Sequence, residues 1–190
     1  MIEINKFNLN TPILGTEDIT IKDFWQWAYS DVMSNRNRSI LGEFLVASAL
    51  DITNTPRIEW DYYDLKYKDL KIEVKTSAYV QSWHQNKLST ISFDISKKKA
   101  WYPETNTYSE KADRYSDVYI FCLYKNTDKT MTNILDVSNW EFYVVPVSFI
   151  SEKFNDQKSL RLKKLQSLTT AINYNDLKRN LNTFIENQNL

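Results

Sequence analysis

The first fifty residues contain two stripes of mainly apolar residues at helical spacing. The first stripe is Ile21, Phe24, Trp25, Ala28 and Val32, and the second is Leu41, Phe44, Leu45 and Ser48. Residues three or four positions apart share one face of a helix, so the spacing predicts helices over about 21–33 and 38–50. Together they predict an N-terminal helical segment over about 18–50, broken at 35–37.

From Trp60 onward the apolar period changes to two, which is the period of a strand. Strands are predicted over about 60–67, 70–76, 89–95, 118–124 and 140–145. The segment 118–124 is apolar at both odd and even positions, which indicates a strand covered on both faces. A last apolar stripe predicts a C-terminal helix over about 174–188. Helices, a sheet and helices again favour one α/β domain over 1–190, with the sheet between helices.

The composition excludes several classes of protein. The chain has 190 residues, 42% of them hydrophobic, with one Cys and one His, so it has no disulfide framework and a structural zinc site is disfavoured. Cys122, in the doubly apolar strand, is predicted to be a small buried hydrophobe. No apolar run approaches the ~20 residues of a membrane helix, and the first ten residues lack a signal-peptide core. We therefore expect a cytoplasmic protein that does not contact the membrane.

Net charge by itself does not indicate a nucleic-acid partner, because 24 basic residues balance 24 acidic ones. Local basic stretches lie at 97–99 and 158–164, and each is more simply a solvated face than a set of phosphate contacts. Trp83, Trp101 and Tyr102 have side chains that can stack on bases, although packing in or beside the core explains them better.

The segment from Trp60 to Lys75 predicts a hairpin that brings acidic residues together. With Lys68 and Asp69 at its tip, the register pairs Tyr67 with Leu70, Lys66 with Lys71, Leu65 with Ile72 and Asp64 with Glu73. Directly opposite residues have Cβ atoms about 4.5–5.5 Å apart. Lys75 lies on the same face by alternation, and the apolar residues point to the other face.

Facing carboxylates repel each other unless a positive charge lies between them, and either Lys75 or a divalent cation would supply it. Mg²⁺ prefers oxygen ligands and takes one or two protein carboxylates. Mg²⁺ held by Asp64 and Glu73 would polarise a phosphate and activate a water that Lys75 orients, which suits phosphodiester hydrolysis. A salt-bridged solvent face explains the same charges, but the aromatic segment from Trp60 to Asp64 favours the metal site.

Glu43 lies on the second predicted helix, among apolar neighbours one turn away. A carboxylate in such surroundings is rarely fully buried unless it is paired. Two explanations stay open. Either Glu43 forms an ion pair with Arg36 or Arg38, or it is a third acid that the helix delivers to the acidic face of the hairpin.

Several segments together resemble the active-site pattern of the PD-(D/E)XK nuclease superfamily, which has the restriction-endonuclease-like fold. They run from Gly42 to Ala47, from Trp60 to Asp64 and from Ile72 to Trp83, and residues 117–124 and 140–143 continue the match. The whole string resembles a family of bacterial proteins of unsettled function placed in that superfamily. Tyr63 stands where the name of the motif has Pro, at a position that varies widely.

The resemblance implies a three-layer α/β/α sandwich around a central mixed sheet, and cleavage of DNA that depends on Mg²⁺, for which Mn²⁺ can substitute. Asp64 and Glu73 would bind the metal, Lys75 would assist the attacking water, and Glu43 would complete the acidic cluster. Gln81 resembles a glutamine that some relatives place on a helix after the motif, where it contacts the site or the backbone. A structural hydrogen bond explains Gln81 equally well.

The sequence therefore favours a metal-dependent deoxyribonuclease in DNA defence or processing. A homodimer is expected if both strands of a duplex are cut, because one site handles one strand at a time. Two other functions stay open. One is a non-cleaving DNA-binding or accessory subunit that kept the fold, and the other is a structural protein whose hairpin carries only a ladder of charges.

Overall fold

A four-stranded mixed sheet forms the centre of the computed structural model, which describes residues 4–188. The eight strands are β1 (Leu65–Tyr67), β2 (Leu70–Ala78), β3 (Ser92–Asp94), β4 (Trp101–Tyr102), β5 (Thr107–Tyr108), β6 (Val118–Tyr124), β7 (Trp140–Pro146) and β8 (Ser159–Arg161). The strand order in the main sheet is β1-β2-β6-β7. β2 and β6 are parallel, while the two outer pairs are antiparallel. β3 pairs with β8, and β4 with β5, as separate two-stranded sheets.

Five α-helices accompany the sheet in the part of the chain that the structure describes. They are α1 (Ile21–Tyr29), α2 (Asn35–Ala49), α3 (Val147–Lys153), α4 (Leu162–Gln166) and α5 (Leu177–Gln188). Short 3₁₀ turns at 137–139 and 174–176 precede β7 and α5. None of the helices in residues 4–188 is both long enough and apolar enough to cross a membrane.

Three of the four predicted hairpin pairs are confirmed, and the fourth, Asp64 with Glu73, is not part of the strand ladder. β1 and β2 pair Leu65 with Ile72, Lys66 with Lys71 and Tyr67 with Leu70. The tip is Lys68 and Asp69, and Lys68 adopts a left-handed backbone conformation with φ of 53°. The apolar residues of both strands share one face, so the charged positions are left together on the other.

β6 is buried on both faces, as predicted from its apolar residues at both odd and even positions. Its even-numbered residues pack with α2 and α5 in one core, through Leu45, Val46, Leu177 and Leu181. Its odd-numbered residues pack in a second core with β3, β8, α3 and α4, through Phe93, Leu160, Ile150 and Leu165. Cys122 lies within the first core as a free, fully buried thiol, as predicted.

The helix boundaries near residue 35 differ from the prediction, which placed a break at 35–37. The side chain of Ser34 accepts a hydrogen bond from the backbone N–H of Asn37, so Ser34 caps the helix and α2 begins at Asn35. The side-chain amide of Asn37 donates to the carbonyl oxygen of Asp31 at 3.0 Å, in the turn before α2. The polar residues that suggested a break therefore form the first turn of α2.

Two predicted strands are shorter than expected. The strand predicted over 60–67 spans only β1, and the one predicted over 89–95 spans only β3. Strands β4, β5 and β8 and helices α3 and α4 were not predicted, because strands of two or three residues and helices of fewer than two turns are too short to show a period.

α2 crosses β2 at very close range where Gly42 lies over Thr76. A Cβ atom built on Gly42 would lie 2.3 Å from Thr76 Oγ1. Any larger side chain at Gly42 would therefore push the helix away from the strand. This contact fixes the distance of α2, and of Glu43 beside it, from the sheet.

We expect Gly42→Ala to lower the free energy of unfolding by about 1–3 kcal/mol, because overpacking outweighs the better helix propensity of Ala. Urea unfolding of the purified variant measures the change. The double variant Gly42→Ala/Thr76→Ala removes the atom that clashes, so it should recover much of the loss. Equal instability of the single and double variants would contradict this explanation.

Candidate active site

Asp64 lies one residue before β1, at the edge of β2. Its backbone N–H donates at 3.0 Å to the carbonyl oxygen of Ile72, the residue paired with Leu65, so the regular register ends at Leu65. Its carboxylate accepts the backbone N–H of Val74 at 2.7 Å, where an extended β1 would have supplied a main-chain carbonyl. The side chain of Asp64 thus ends the pairing of β1 with β2 and is held against the sheet edge.

Glu73 and Lys75 project from the same face of β2 and form an ion pair. Both side chains are largely buried, with 16% and 19% of their surface exposed. Ser116, just before β6, donates from its hydroxyl to the second oxygen of Glu73 at 3.4 Å. Glu73 is therefore oriented by one cation and one hydroxyl.

A cavity of about 300 Å³ contains Asp64, Glu73 and Lys75 together, as the sequence predicts. Its walls come from the segment 59–62, the strands β4 and β5, and the segment 113–116. Aromatic side chains form much of this wall. The ring of Tyr62 makes edge contacts with those of Tyr63, Tyr102 and Tyr115 at centroid distances of 5.1, 5.7 and 6.2 Å.

The charges in this cavity do not balance around Asp64. Burial and the neighbouring carboxylate of Glu73 raise the pKa of Asp64 from its ordinary value of 3.8 to about 7. Burial tends to lower the pKa of Lys75, but the carboxylates of Glu73 and Asp64 outweigh it and raise that pKa. Within residues 4–188, Asp64 forms no ion pair, whereas Glu73 has Lys75. The cavity therefore lacks one positive charge beside Asp64.

Glu43 lies in a second cavity of about 500 Å³ that has Asp64 in its wall as well. Its carboxylate forms a double hydrogen bond with Arg57, from Nε and from Nη2, the latter at 3.2 Å. An ion pair was one of the two explanations left open for Glu43, but its partner is Arg57 and not Arg36 or Arg38. Arg38 is buried and donates instead to the carbonyl of Met33 at 2.7 Å. The structure brings Glu43 close to Asp64 but not into the cavity of Glu73.

Gln81 lies in the irregular segment after β2. Residues 79–91, which follow β2, contain no helix, so the expected helix after the motif is absent. The side-chain amide of Gln81 donates to the carbonyl of Ala78 at 2.8 Å and to the hydroxyl of Ser89 at 3.2 Å. Gln81 lines neither cavity. The structure thus favours the structural hydrogen bond over contact with the site.

Comparison of the sequence with protein-family models gives a match to the family described as bacteriophage T4 endonuclease IV, over residues 16–179. The chain belongs to the T4 endonuclease IV family. The match covers every candidate site residue and most of the chain. Comparison with curated proteins and with solved structures gave no match.

Membership in the T4 endonuclease IV family indicates a nuclease, with DNA as the substrate of an endonuclease. This confirms the nuclease class that the sequence resemblance implied. The matching description is that of a phage enzyme, whereas the resemblance had pointed to bacterial proteins.

The donor set in the smaller cavity fits a divalent cation such as Mg²⁺. Asp64 and Glu73 offer hard oxygen ligands, and one or two carboxylates suffice for Mg²⁺, which keeps several waters. No cluster of three or more acidic, His or Cys side chains placed to hold a metal occurs among the described residues. Any metal held here would therefore rely on these two carboxylates and on water.

Sequence reasoning missed three residues at this candidate site: Arg57, Ser116 and Tyr119. Arg57 lies in a segment without a periodic pattern, so no local signal connects it with Glu43. Tyr119 had a usable signal, because pairing β2 with the doubly apolar β6 in parallel places it beside Glu73.

We expect Asp64→Asn to stabilise the metal-free protein by about 1–3 kcal/mol at pH 8, since one pKa unit corresponds to about 1.4 kcal/mol. The pKa of Asp64 is higher in the folded protein, about 7 against 3.8. The contribution of Asp64 to wild-type stability should therefore fall as pH rises between these values. The stabilisation should disappear towards pH 4, where Asp64 is protonated in the folded protein.

Urea unfolding in EDTA between pH 4 and pH 8 measures this difference. Asp69→Asn, at the exposed tip of the hairpin, is the matched control and should change stability little. A stability difference for Asp64→Asn that does not vary with pH would contradict the charge explanation.

We expect Arg57→Ala to lower the free energy of unfolding by about 2–3 kcal/mol, because it leaves the carboxylate of Glu43 buried without its partner. The double variant Glu43→Gln/Arg57→Gln leaves no buried charge and should lose less stability. Arg179→Ala, which removes an exposed arginine on α5, is the control for thermal or urea unfolding. If Arg57→Ala and Arg179→Ala behave alike, the pair does not stabilise the fold.

Proposed function

We propose that this chain is a Mg²⁺-dependent DNA endonuclease of the PD-(D/E)XK superfamily, with Mn²⁺ able to substitute. The observation that carries the proposal is the position of Asp64, Glu73 and Lys75 in one cavity. Membership in the T4 endonuclease IV family supports the nuclease part of the proposal. The cores on both faces of the sheet support a three-layer α/β/α sandwich of the restriction-endonuclease-like kind.

In this proposal Asp64 and Glu73 bind the metal and Lys75 assists the attacking water. When bound, Mg²⁺ would neutralise charge on the phosphate and make water a better nucleophile. The hydrogen bond from Val74 holds Asp64 in place, and Ser116 holds Glu73. The ammonium of Lys75, fixed beside Glu73, donates to the water or to a phosphate oxygen.

Glu43 is the third member of the acidic cluster, and it lies with Asp64 in the wall of the larger cavity. Its carboxylate lies close enough to contribute to the raised pKa of Asp64, together with burial and Glu73. Because the carboxylate of Glu43 is paired with Arg57, Glu43 acts on Asp64 through electrostatics in the arrangement observed. We further propose a role in DNA defence or processing, and a homodimer wherever both strands of a duplex are cut.

We expect the wild-type protein to cut DNA with Mg²⁺ or Mn²⁺, and Asp64→Ala and Lys75→Ala each to cut at least about 10²-fold more slowly. The reason is that the first variant loses a metal ligand and the second loses the group that positions water. The assay offers linear, supercoiled, branched and single-stranded DNA to all variants at matched purity, with and without EDTA.

Asp69→Ala and Lys22→Ala are the controls, since both residues are exposed and line neither cavity. Cutting that survives in both active-site variants would reject this site. A wild-type protein that binds DNA but cuts none of these substrates would favour the non-cleaving accessory subunit instead.

A further inference from the structure

Tyr119 lies beside the proposed metal ligands. It is the second residue of β6, and the parallel register places it next to Glu73 on the neighbouring strand. Paired residues in a sheet point to the same face, so the ring of Tyr119 lies on the face of Glu73 and Lys75. The side chain is 4% exposed and lines the cavity of about 300 Å³.

The hydroxyl of Tyr119 makes no hydrogen bond to residues 4–188, unlike those of two other buried tyrosines, Tyr143 and Tyr67, and of the partly buried Tyr174. Tyr143 donates to Glu141 at 2.7 Å, Tyr67 to Asn182 at 3.0 Å, and Tyr174 to Ser48 at 3.1 Å. The hydroxyl oxygen of Tyr119 is not one of the fully buried side-chain atoms that lack a partner among the described residues, so it is accessible from the cavity. A hydroxyl that opens onto a polar cavity without a protein partner can donate to a ligand there.

Packing accounts for the ring of Tyr119 but not for its hydroxyl. The ring stacks on that of Phe121, with centroids 5.4 Å apart and planes 5° apart. A phenylalanine would make the same contact without an unpaired polar atom. Burial and the carboxylate of Glu73 raise the pKa of the Tyr119 phenol above its ordinary value, so at neutral pH the hydroxyl is available as a donor.

Three donors near Tyr119 have protein partners. Lys75 and Ser116 donate to Glu73. Arg114 donates to main-chain carbonyls, including those of Ile95 at 2.8 Å and Phe154 at 3.2 Å. A phosphate that enters beside two carboxylates needs several donors. The hydroxyl of Tyr119 can be one of them, next to Glu73, with Lys98 and Lys99 in the same cavity wall.

We propose that Tyr119 is a catalytic residue whose hydroxyl donates a hydrogen bond to a non-bridging oxygen of the DNA phosphate that is cut. This inference rests on the proposed function. The tyrosine forms no covalent bond and transfers no proton. Its hydrogen bond strengthens as negative charge builds on the phosphate oxygen, while the water oxygen bonds to phosphorus and the leaving oxygen departs.

We expect Tyr119→Phe to lower kcat about 10- to 100-fold with little change in KM, because the bond is strongest in the transition state. The unfolding midpoint should not fall, since the substitution keeps the stacked ring. Tyr143→Phe is the control. It removes a buried hydroxyl on the same face of the sheet, from a side chain outside the cavity, and should leave cleavage unchanged.

A phosphorothioate at the cleaved position separates a phosphate contact from other roles. Sulfur is a weaker hydrogen-bond acceptor than oxygen, so for one of the two diastereomers the cost of Tyr119→Phe should shrink several-fold. Mn²⁺ binding without DNA, measured by calorimetry, should be the same for Tyr119→Phe and wild type. Each of these readouts compares the variant with an active, folded wild-type protein.

Wild-type kcat in Tyr119→Phe would overturn the inference. The inference would also fail if Tyr119→Phe lowered kcat equally on the phosphate substrate and on both phosphorothioate diastereomers. Weakened Mn²⁺ binding by the variant would overturn it too, because the hydroxyl would then contact waters bound to the metal. If the wild-type protein cuts no DNA, the proposed function itself fails, and that result is distinct from active wild type with an unaffected Tyr119→Phe variant.

Discussion

The position of the acidic site depends on a single acceptor for the backbone N–H of Val74. A longer β1 would offer a main-chain carbonyl there, but the carboxylate of Asp64 takes the hydrogen bond. Because that bond stops the pairing of β1 with β2, the segment before Asp64 leaves the sheet and becomes a wall of both cavities. The same bond holds Asp64 in a half-buried place where its charge is poorly solvated.

The charges around Asp64 follow from this placement. Glu73 has Lys75 as its partner, and Glu43 has Arg57, so two of the three acids carry their own cation. Asp64 has the N–H of Val74 but no ion pair within the described residues, and its pKa rises to about 7 as burial and Glu73 disfavour the charged form. This imbalance gives a physical reason for a cation at the site, because a divalent ion would restore neutrality where the protein does not.

Much of the fold could be predicted from periodicity, because long elements have long patterns. β6 is apolar at both odd and even positions, and it is buried on both faces. The hairpin register follows from the alternation of apolar residues in β1 and β2. Short elements such as β4 and α4 have too few residues for any period, so they were missed. The start of α2 was misjudged because Ser34 caps the helix, which makes polar residues at 35–37 its first turn.

The site was predictable where it depends on local pairing and not where it depends on distant contacts. Asp64, Glu73 and Lys75 lie within one hairpin, so alternation alone placed them together. Arg57 reaches Glu43 from an irregular segment, and the placement of Gln81 depends on the loop that follows β2. Neither contact can be predicted from the spacing of residues along the sequence.

Two acidic residues, Asp61 and Asp64, line both cavities, and the shared position of Asp64 links the cavities thermodynamically. Any charged molecule in the larger cavity that interacts differently with the two protonation states of Asp64 must bind with an affinity that depends on pH. Because linkage is reciprocal, occupancy of that cavity changes the proton affinity of Asp64 by the same factor. Because Asp64 lines both cavities, a charged molecule bound in one cavity changes the electrostatic potential in the other through the protonation of Asp64.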